Sequence, residues 1–392
     1  MFQINNPVDI NQPKRSIMVL SDWFAPGIRA GGPVTSSVNF SYAMQNDFNI
    51  HVLTSDRDLG DSQAYPNVNV NRWSHFDRNI STFYCSPQYQ AYSSIASMLE
   101  RSQPDFLYLN SMFSKSFTVF PLWLHLFRKL QSTVVLAPRG MLRKTALHFK
   151  PIKKHGFLNL LRATGIAHRI RFHATDKQER ADIHRIFGRH SRVHVIGNCV
   201  RSPKPRNTTQ TKVSGHLKII SVGRIHPIKN THLLVNAVAA AENRLTLDLY
   251  GPIEDANYWK TCQQTINQLP GHIRIRHRGI VHAEKLQTTL DCYHLFALAT
   301  AGENFGHAIY EALAAGKPVL ISDQTPWKNL QAKQAGWDLP LNAMRAYTQK
   351  LDQCALMGPE EYNRWSLGAH QLATQFAHSK TRRLEYLKLF TE

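Results

Sequence analysis

The sequence predicts an α/β protein built from two doubly wound parallel-sheet domains that face each other across a cleft. Three observations carry that prediction. Short apolar runs of strand type alternate with helical stretches from end to end. A polar, proline-bearing segment interrupts the alternation near the middle. The length of 392 residues exceeds what one hydrophobic core usually serves.

Taken in order, the first domain covers residues 1–200. Its strand candidates are Ile17-Met18-Val19-Leu20, Ile50 to Thr54, Val68-Asn69-Val70, Phe106 to Leu109, Thr133 to Leu136, Phe172-His173-Ala174 and Val193 to Ile196. After the first of these, Ala30-Gly31-Gly32-Pro33 opens a helix that runs from Thr35 onward. Residues 201–214 form the linker, with two prolines and polar filler from Arg201 to Thr211. The second domain, 215–370, resumes with strands at Leu217 to Val222, Leu245 to Leu249, Ile273 to Ile275, Leu295 to Ala299 and Pro318 to Ile321. Residues 371–392 read as a helix without a strand, expected to pack back on the first domain.

Composition narrows the function. No apolar run approaches the ~18 residues of a membrane span, and Met1 to Asp9 lacks the basic-then-apolar order of a signal peptide, so the expected location is cytoplasmic. Cys85, Cys199, Cys262, Cys292 and Cys354 are too scattered for a disulfide framework or a zinc site, and the 20 histidines form no ligand-spaced motif. Neither a metal nor another cofactor is expected. The formal charge of +20 points to an anionic partner. Arg139 to Thr175 contains no acid, while Arg143, Lys144, Lys150, Lys153, Lys154, Arg162, Arg169 and Arg171 gather there beside Phe157, Leu158, Leu160 and Leu161. That 143–171 stretch has two readings, a solvated basic face near a phosphate site or an amphipathic patch for peripheral contact with an anionic membrane at its inner face. Nucleic acid is not an expected partner, because no basic platform with stacking aromatics is recognisable.

Four segments carry chemistry. Gly31-Gly32 before a helix offers backbone amides to a phosphate. Gly223-Arg224-Ile225-His226-Pro227-Ile228-Lys229 follows a strand, and an arginine fork with a lysine point charge suits a departing diphosphate. Glu303 and Glu311, separated by seven residues around the turn Asn304-Phe305-Gly306, place one carboxylate on a loop and one on the next helix, where each accepts hydrogen bonds from vicinal hydroxyls. Gly316 before Lys317-Pro318 stops that helix. Arg139, after the strand Thr133 to Leu136, either meets phosphate or acceptor or packs between domains. Asp56-Arg57-Asp58 has metal-binding spacing, yet reads as a polar loop at the cleft mouth.

Together with Pro138-Arg139-Gly140-Met141-Leu142 and Val195-Ile196-Gly197-Asn198, these motifs resemble the retaining glycosyltransferases of family 4, the glycosyl transferases group 1, whose GT-B fold consists of two Rossmann-like domains. The resemblance covers nearly the whole chain. It implies transfer of a sugar from a nucleoside diphosphate sugar, without a metal, to a glycan or lipid-linked acceptor held by the first domain, in surface polysaccharide synthesis. By position it assigns Arg224 and Lys229 to the donor diphosphate, Glu311 to the ribose, Glu303 to the transferred sugar, the amides of Asn304, Phe305 and Gly306 to donor oxygens, and Gly31 and Gly32 to the phosphates. Arg224, Lys229 and Glu303 are thus the expected catalytic residues. Many members carry histidine where Arg139 stands, and Asn198-Cys199 replaces a frequent Asn-Gly. Rival readings are a nucleotide-sugar epimerase or hydrolase of the same fold, and a basic nucleic-acid-binding protein.

Overall fold

The computed structural model describes residues 14–127, 130–148, 151–206 and 212–392. Met1 to Asp9, Lys150 and linker residues 207–211 lie outside the described residues. The chain divides into two compact units. One comprises residues up to Pro26, Ser36–Gly197 and Leu384–Glu392; the other comprises Gly27–Thr35 and Asn198–Arg383.

In the first unit, strands β1 (Ser16–Ser21), β2 (Asn49–Ser55), β3 (Trp73–Asp77), β4 (Ile80–Cys85), β5 (Phe106–Leu109), β6 (Thr133–Leu136), β7 (Arg171–Ala174) and β8 (Arg192–Val195) form one sheet in the order β3-β4-β2-β1-β5-β6-β7-β8. Ile17 to Leu20 are wholly buried, as expected of a strand with helices on both faces. From β1 the chain winds outward through β2 to β4, then returns to β5 on the other side of β1. The β1/β5 boundary is therefore where strand order reverses, the place at which open parallel sheets bind ligands. Phe390, in the closing helix Lys380–Thr391, packs against Phe48 and Phe106 with ring centroids at 5.7 and 5.3 Å.

Two sequence expectations change here. Val68-Asn69-Val70 is not a strand. Asn67 and Asn71 flank it at φ of 60° and 58°, which leaves only a single bridge from Val70 to Tyr84. The pairing goes instead to β3 and β4, an antiparallel ribbon that adds the one non-parallel edge to the sheet.

In the second unit, β9 (His216–Val222), β10 (Arg244–Tyr250), β11 (Ile273–His277), β12 (Leu295–Leu298), β13 (Val319–Ser322) and β14 (Gly336–Leu339) form an all-parallel sheet in the order β11-β10-β9-β12-β13-β14. Order reverses between β9 and β12. The linker is pinned to this unit rather than loose. Arg206 donates to Asn363 Oδ1 at 2.6 Å and to Ser366 Oγ at 3.0 Å, and His370 bonds the Lys204 carbonyl at 2.9 Å. Lys212, only 1% exposed, caps the helix Met344–Leu356 through Ala355 O at 2.7 Å.

Candidate active site

The loops after β9 and β12 meet because those strands are neighbours. Ala301 N donates to Ile228 O at 2.7 Å, and Thr300 Oγ1 donates to the same carbonyl at 3.1 Å. On the other flank Gly223 N bonds Tyr250 O at 2.8 Å, and Gly251 N bonds Gly279 O at 2.8 Å. Gly251 has φ of +145°, and a Cβ there would fall 2.0 Å from Gly223 O, so only glycine lets the β9 and β10 loops come this close. Arg224 and Lys229 are thus carried on backbone braced from both sides.

The turn Pro227–Lys229 is capped by His226, whose Nδ1 accepts from Ile228 N at 3.2 Å. It aims Lys229 Nζ at Glu303 Oε1, a contact in which the two side chains retain 18% and 14% exposure. Arg224 Nη1 reaches Glu254 Oε2 at 2.5 Å, with both side chains about two-fifths exposed. The expected diphosphate cations are therefore each engaged by a carboxylate. Neither pairing was read from the sequence, although Glu254 shares with Arg224 a position just beyond a strand's carboxyl end.

Glu303 lies on the loop after β12, its amide bonded to Gln324 O at 3.1 Å. Gly306, at φ of 79°, starts the helix His307–Ala314. A Cβ at Gly306 would meet Ile309 Cδ1 at 2.8 Å, so the turn depends on glycine there too. Phe305 is buried beside His307, Trp327 and Phe376, with centroids at 4.8, 5.5 and 5.4 Å, and its carbonyl accepts from Trp327 Nε1 at 2.7 Å. That clamp fixes the loop. The amides of Phe305 and Gly306 have no acceptor among the described residues, as befits orphan donors at a helix start. Glu311 is on the helix; burial pushes its carboxyl above the usual carboxylate range, and the Arg201 charge partly offsets this. Lys317 N returns to Ala312 O at 2.9 Å across Gly316, closing the helix where the sequence put its stop. Gly31 and Gly32 belong to the Gly27–Thr35 segment of the same unit, and a Cβ at Gly32 would lie 3.8 Å from the His307 ring.

Arg139 belongs to the first unit and has φ of 55°. Its guanidinium donates to Asn110 Oδ1 and to Tyr108 Oη, each at 2.6 Å. Tyr108 Oη lies 2.7 Å from His173 Nδ1, and His173 Nε2 lies 2.8 Å from Ile196 O. A carbonyl only accepts, so Nε2 carries the proton, Nδ1 accepts from Tyr108, and Tyr108 accepts from Arg139. Burial first, and the Arg139 charge second, push His173 down to about 3. Arg139 thus has a built intradomain role that the sequence did not reveal.

The basic stretch divides in the structure. In the helix Pro151–Ala163, Leu158 and Leu161 are buried in the unit's core, whereas Ile152 is 87% exposed and Leu160 is also exposed. Of the expected apolar patch, Phe157, Leu158 and Leu161 are therefore spent on packing, and Leu160 alone remains exposed. Asp56, expected on a polar loop at the cleft mouth, lies on a loop but is only 2% exposed and is forked by Arg57 at 2.7 and 3.1 Å; Asp58 is nearly buried as well.

Comparison with known proteins adds to this geometry. Residues 216–355 match the family model described as glycosyl transferases group 1. No curated protein sequence matches the chain. Among solved structures, Anabaena HepE in complex with UDP-glucose is similar over 95% of this chain and 98% of its own, with TM-score 0.69 and 16% identity. Sucrose-phosphate synthase from Thermosynechococcus elongatus aligns over 96% and 98%, with TM-score 0.68 and 14% identity. A glycosyltransferase from Rickettsia africae aligns over 97% and 98%, with TM-score 0.66 and 12% identity. The two sheet units share the GT-B fold of these structures. The match to the group 1 glycosyl transferases lies wholly within the second unit.

Proposed function

We propose that the protein transfers a sugar from a nucleoside diphosphate sugar to a glycan or lipid-linked acceptor with retained anomeric configuration and without a metal, in the synthesis of a surface polysaccharide. The observation that carries this reading is the convergence, where strand order reverses in the second sheet, of Lys229, Glu303 and the unengaged amides of Phe305 and Gly306. A diphosphate suits the cation and the amides, and a sugar hydroxyl suits the carboxylate. Anabaena HepE in complex with UDP-glucose makes that donor the first to test.

In the proposed reaction the acceptor oxygen bonds to the anomeric carbon on the face from which the diphosphate departs. The bond between that carbon and the diphosphate oxygen breaks, and the acceptor's proton passes to a leaving-group oxygen. Arg224 and Lys229 stabilise the charge that develops there, once Lys229 has exchanged Glu303 for phosphate and Glu303 has turned to a sugar hydroxyl. Glu311 takes the ribose hydroxyls, and the Gly31-Gly32 turn approaches the phosphates through Gly32 at the helix start, since Gly31 N is held by Ile28 O at 3.1 Å. Arg139 acts as a positioning residue for the first unit's strand ends, supported by its bonds to Asn110 and Tyr108. Proton NMR of the product tests the mechanism, with retention expected and inversion refuting it. Product formed from the donor alone would favour the epimerase or hydrolase alternative.

No helix among the described residues is long and apolar enough to cross a membrane. The exposed Ile152 and Leu160 beside Lys153 and Arg162 support peripheral contact with the inner face of an anionic membrane by a cytoplasmic enzyme. Co-sedimentation with phosphatidylglycerol vesicles, weakened in Ile152→Glu, is the expected outcome; equal recovery with neutral vesicles refutes it.

A further inference from the structure

The reversal point of the first sheet holds a second polar site, which the donor chemistry leaves unused. Asp22 follows β1, and Asn110 to Ser114 follow its neighbour β5. Ser114 Oγ donates to Asp22 Oδ1 at 2.6 Å and accepts from Phe117 N at 3.2 Å, capping the π-helical turn Lys115–Val119. Val119 N closes that wide turn on Ser114 O at 2.9 Å. Turns of this kind are rare in proteins and frequent at functional sites.

From the other side, Ser55 N reaches Asp22 O at 3.4 Å, Gln90 Nε2 reaches Ser55 Oγ at 3.4 Å, and Ser116 Oγ donates to Gln90 O at 2.7 Å. The chain of contacts returns through the π turn to Ser114, so Asp22, Ser55, Gln90 and the turn form one ring of hydrogen bonds over the strand ends. Beside Gln90 in sequence stand Tyr89 and Tyr92, 41% and 39% exposed. Phe83 backs Tyr89 at 6.2 Å between centroids, and Phe120 backs Tyr92 edge-on at 5.4 Å. Burial raises the Asp22 carboxyl, and hydroxyls of Ser114 and Ser111 offset this. A carboxylate has about four lone-pair sites, so the two hydroxyls and Asp22's own amide leave room for a ligand hydroxyl.

A half-buried carboxylate, an amide and exposed aromatic faces at a sheet's ligand-binding edge match the chemistry of a pyranose, which has equatorial hydroxyls and apolar C–H faces. We infer that this ring is the acceptor subsite, with Asp22 receiving a sugar hydroxyl and Tyr89 or Tyr92 covering a C–H face. The word acceptor rests on the transferase reading; the sugar site does not.

Saturation-transfer NMR on the full chain tests it, using the methyl glycosides of glucose, galactose, mannose and N-acetylglucosamine as probes. At least one is expected to bind the wild-type protein. Asp22→Asn, which keeps an acceptor for Ser114, is expected to weaken that binding about tenfold, the effect of losing a charged hydrogen bond. Tyr89→Ala with Tyr92→Ala, which removes only exposed rings, is expected to weaken it comparably, and UDP affinity stays at its wild-type value in all variants. Absence of binding by every glycoside, or equal binding by wild type and both variants, overturns the inference. Glycoside binding without UDP binding would instead overturn the donor reading and leave this one standing.

Discussion

His173 sets up a pH test whose size follows from its surroundings. It is fully buried and neutral, donating to Ile196 O and accepting from the hydroxyl of Tyr108, on which Arg139 leans. Its folded value of about 3 lies below the ordinary 6.5, so the unfolded chain takes up a proton first as pH falls. The stabilisation is complete above pH 6.5 and is lost progressively towards pH 3. At pH 5 the gap is about 1.5 pH units, and at about 1.36 kcal/mol per unit the folded first unit loses about 2 kcal/mol. His173→Gln removes the titration and should cost about 1 to 3 kcal/mol at neutral pH, through the stranded Tyr108 hydroxyl. Two units need not unfold as one, so hydrogen exchange of peptides spanning residues 171–196, corrected for intrinsic rates, is the suitable assay. Wild type should lose protection between pH 7.5 and 5, and the variant much less. Equal losses in the two proteins would refute a neutral, buried His173 as the source.

Other outcomes follow from the second unit. Arg224→Ala should lower kcat/KM for transfer by about 10² to 10³, or about 2 to 4 kcal/mol of transition-state stabilisation, and unchanged turnover would remove it from the leaving-group site. Glu303→Gln should tighten UDP about fivefold by releasing Lys229 while slowing transfer; calorimetry showing weaker UDP binding would contradict the pairing. Glu311→Ala should weaken UDP about tenfold, and an unaltered titration would argue against a ribose contact. Lys212→Met should destabilise the second unit by about 2 kcal/mol, because the ammonium's bonds to Ala355 O and Val213 O are lost while Gly215 N still caps Ala355 O; an unchanged melting temperature would exclude that role.

The strands most legible in the sequence are those buried on both faces, such as Ile17 to Leu20 and Leu295 to Leu298, where continuous apolar runs leave little choice. β3 and β4 escaped because Trp73–Asp77 and Ile80–Cys85 mix Ser, Thr, His and Asp with aromatics, and their pairing is settled by a sheet edge rather than by an apolar run. β14 starts at a glycine whose added Cβ would strike Val319 O at 2.0 Å, a close approach no local pattern announces. At the site, glycines, carboxylates and cations were legible because each follows a strand. Their pairings were not. Lys229 with Glu303, Arg224 with Glu254, and Arg139 with Tyr108 are each brought together by neighbouring strands whose order only the folded sheet reveals.

The contact between Lys229 and Glu303 gives the second unit an internal competitor for its ligand. With the roles proposed above, a nucleotide lacking its sugar satisfies the ammonium but strands the carboxylate, whereas an intact donor satisfies both. The same two side chains would then favour substrate over spent product, and their reunion after transfer would help expel the nucleotide before the next cycle.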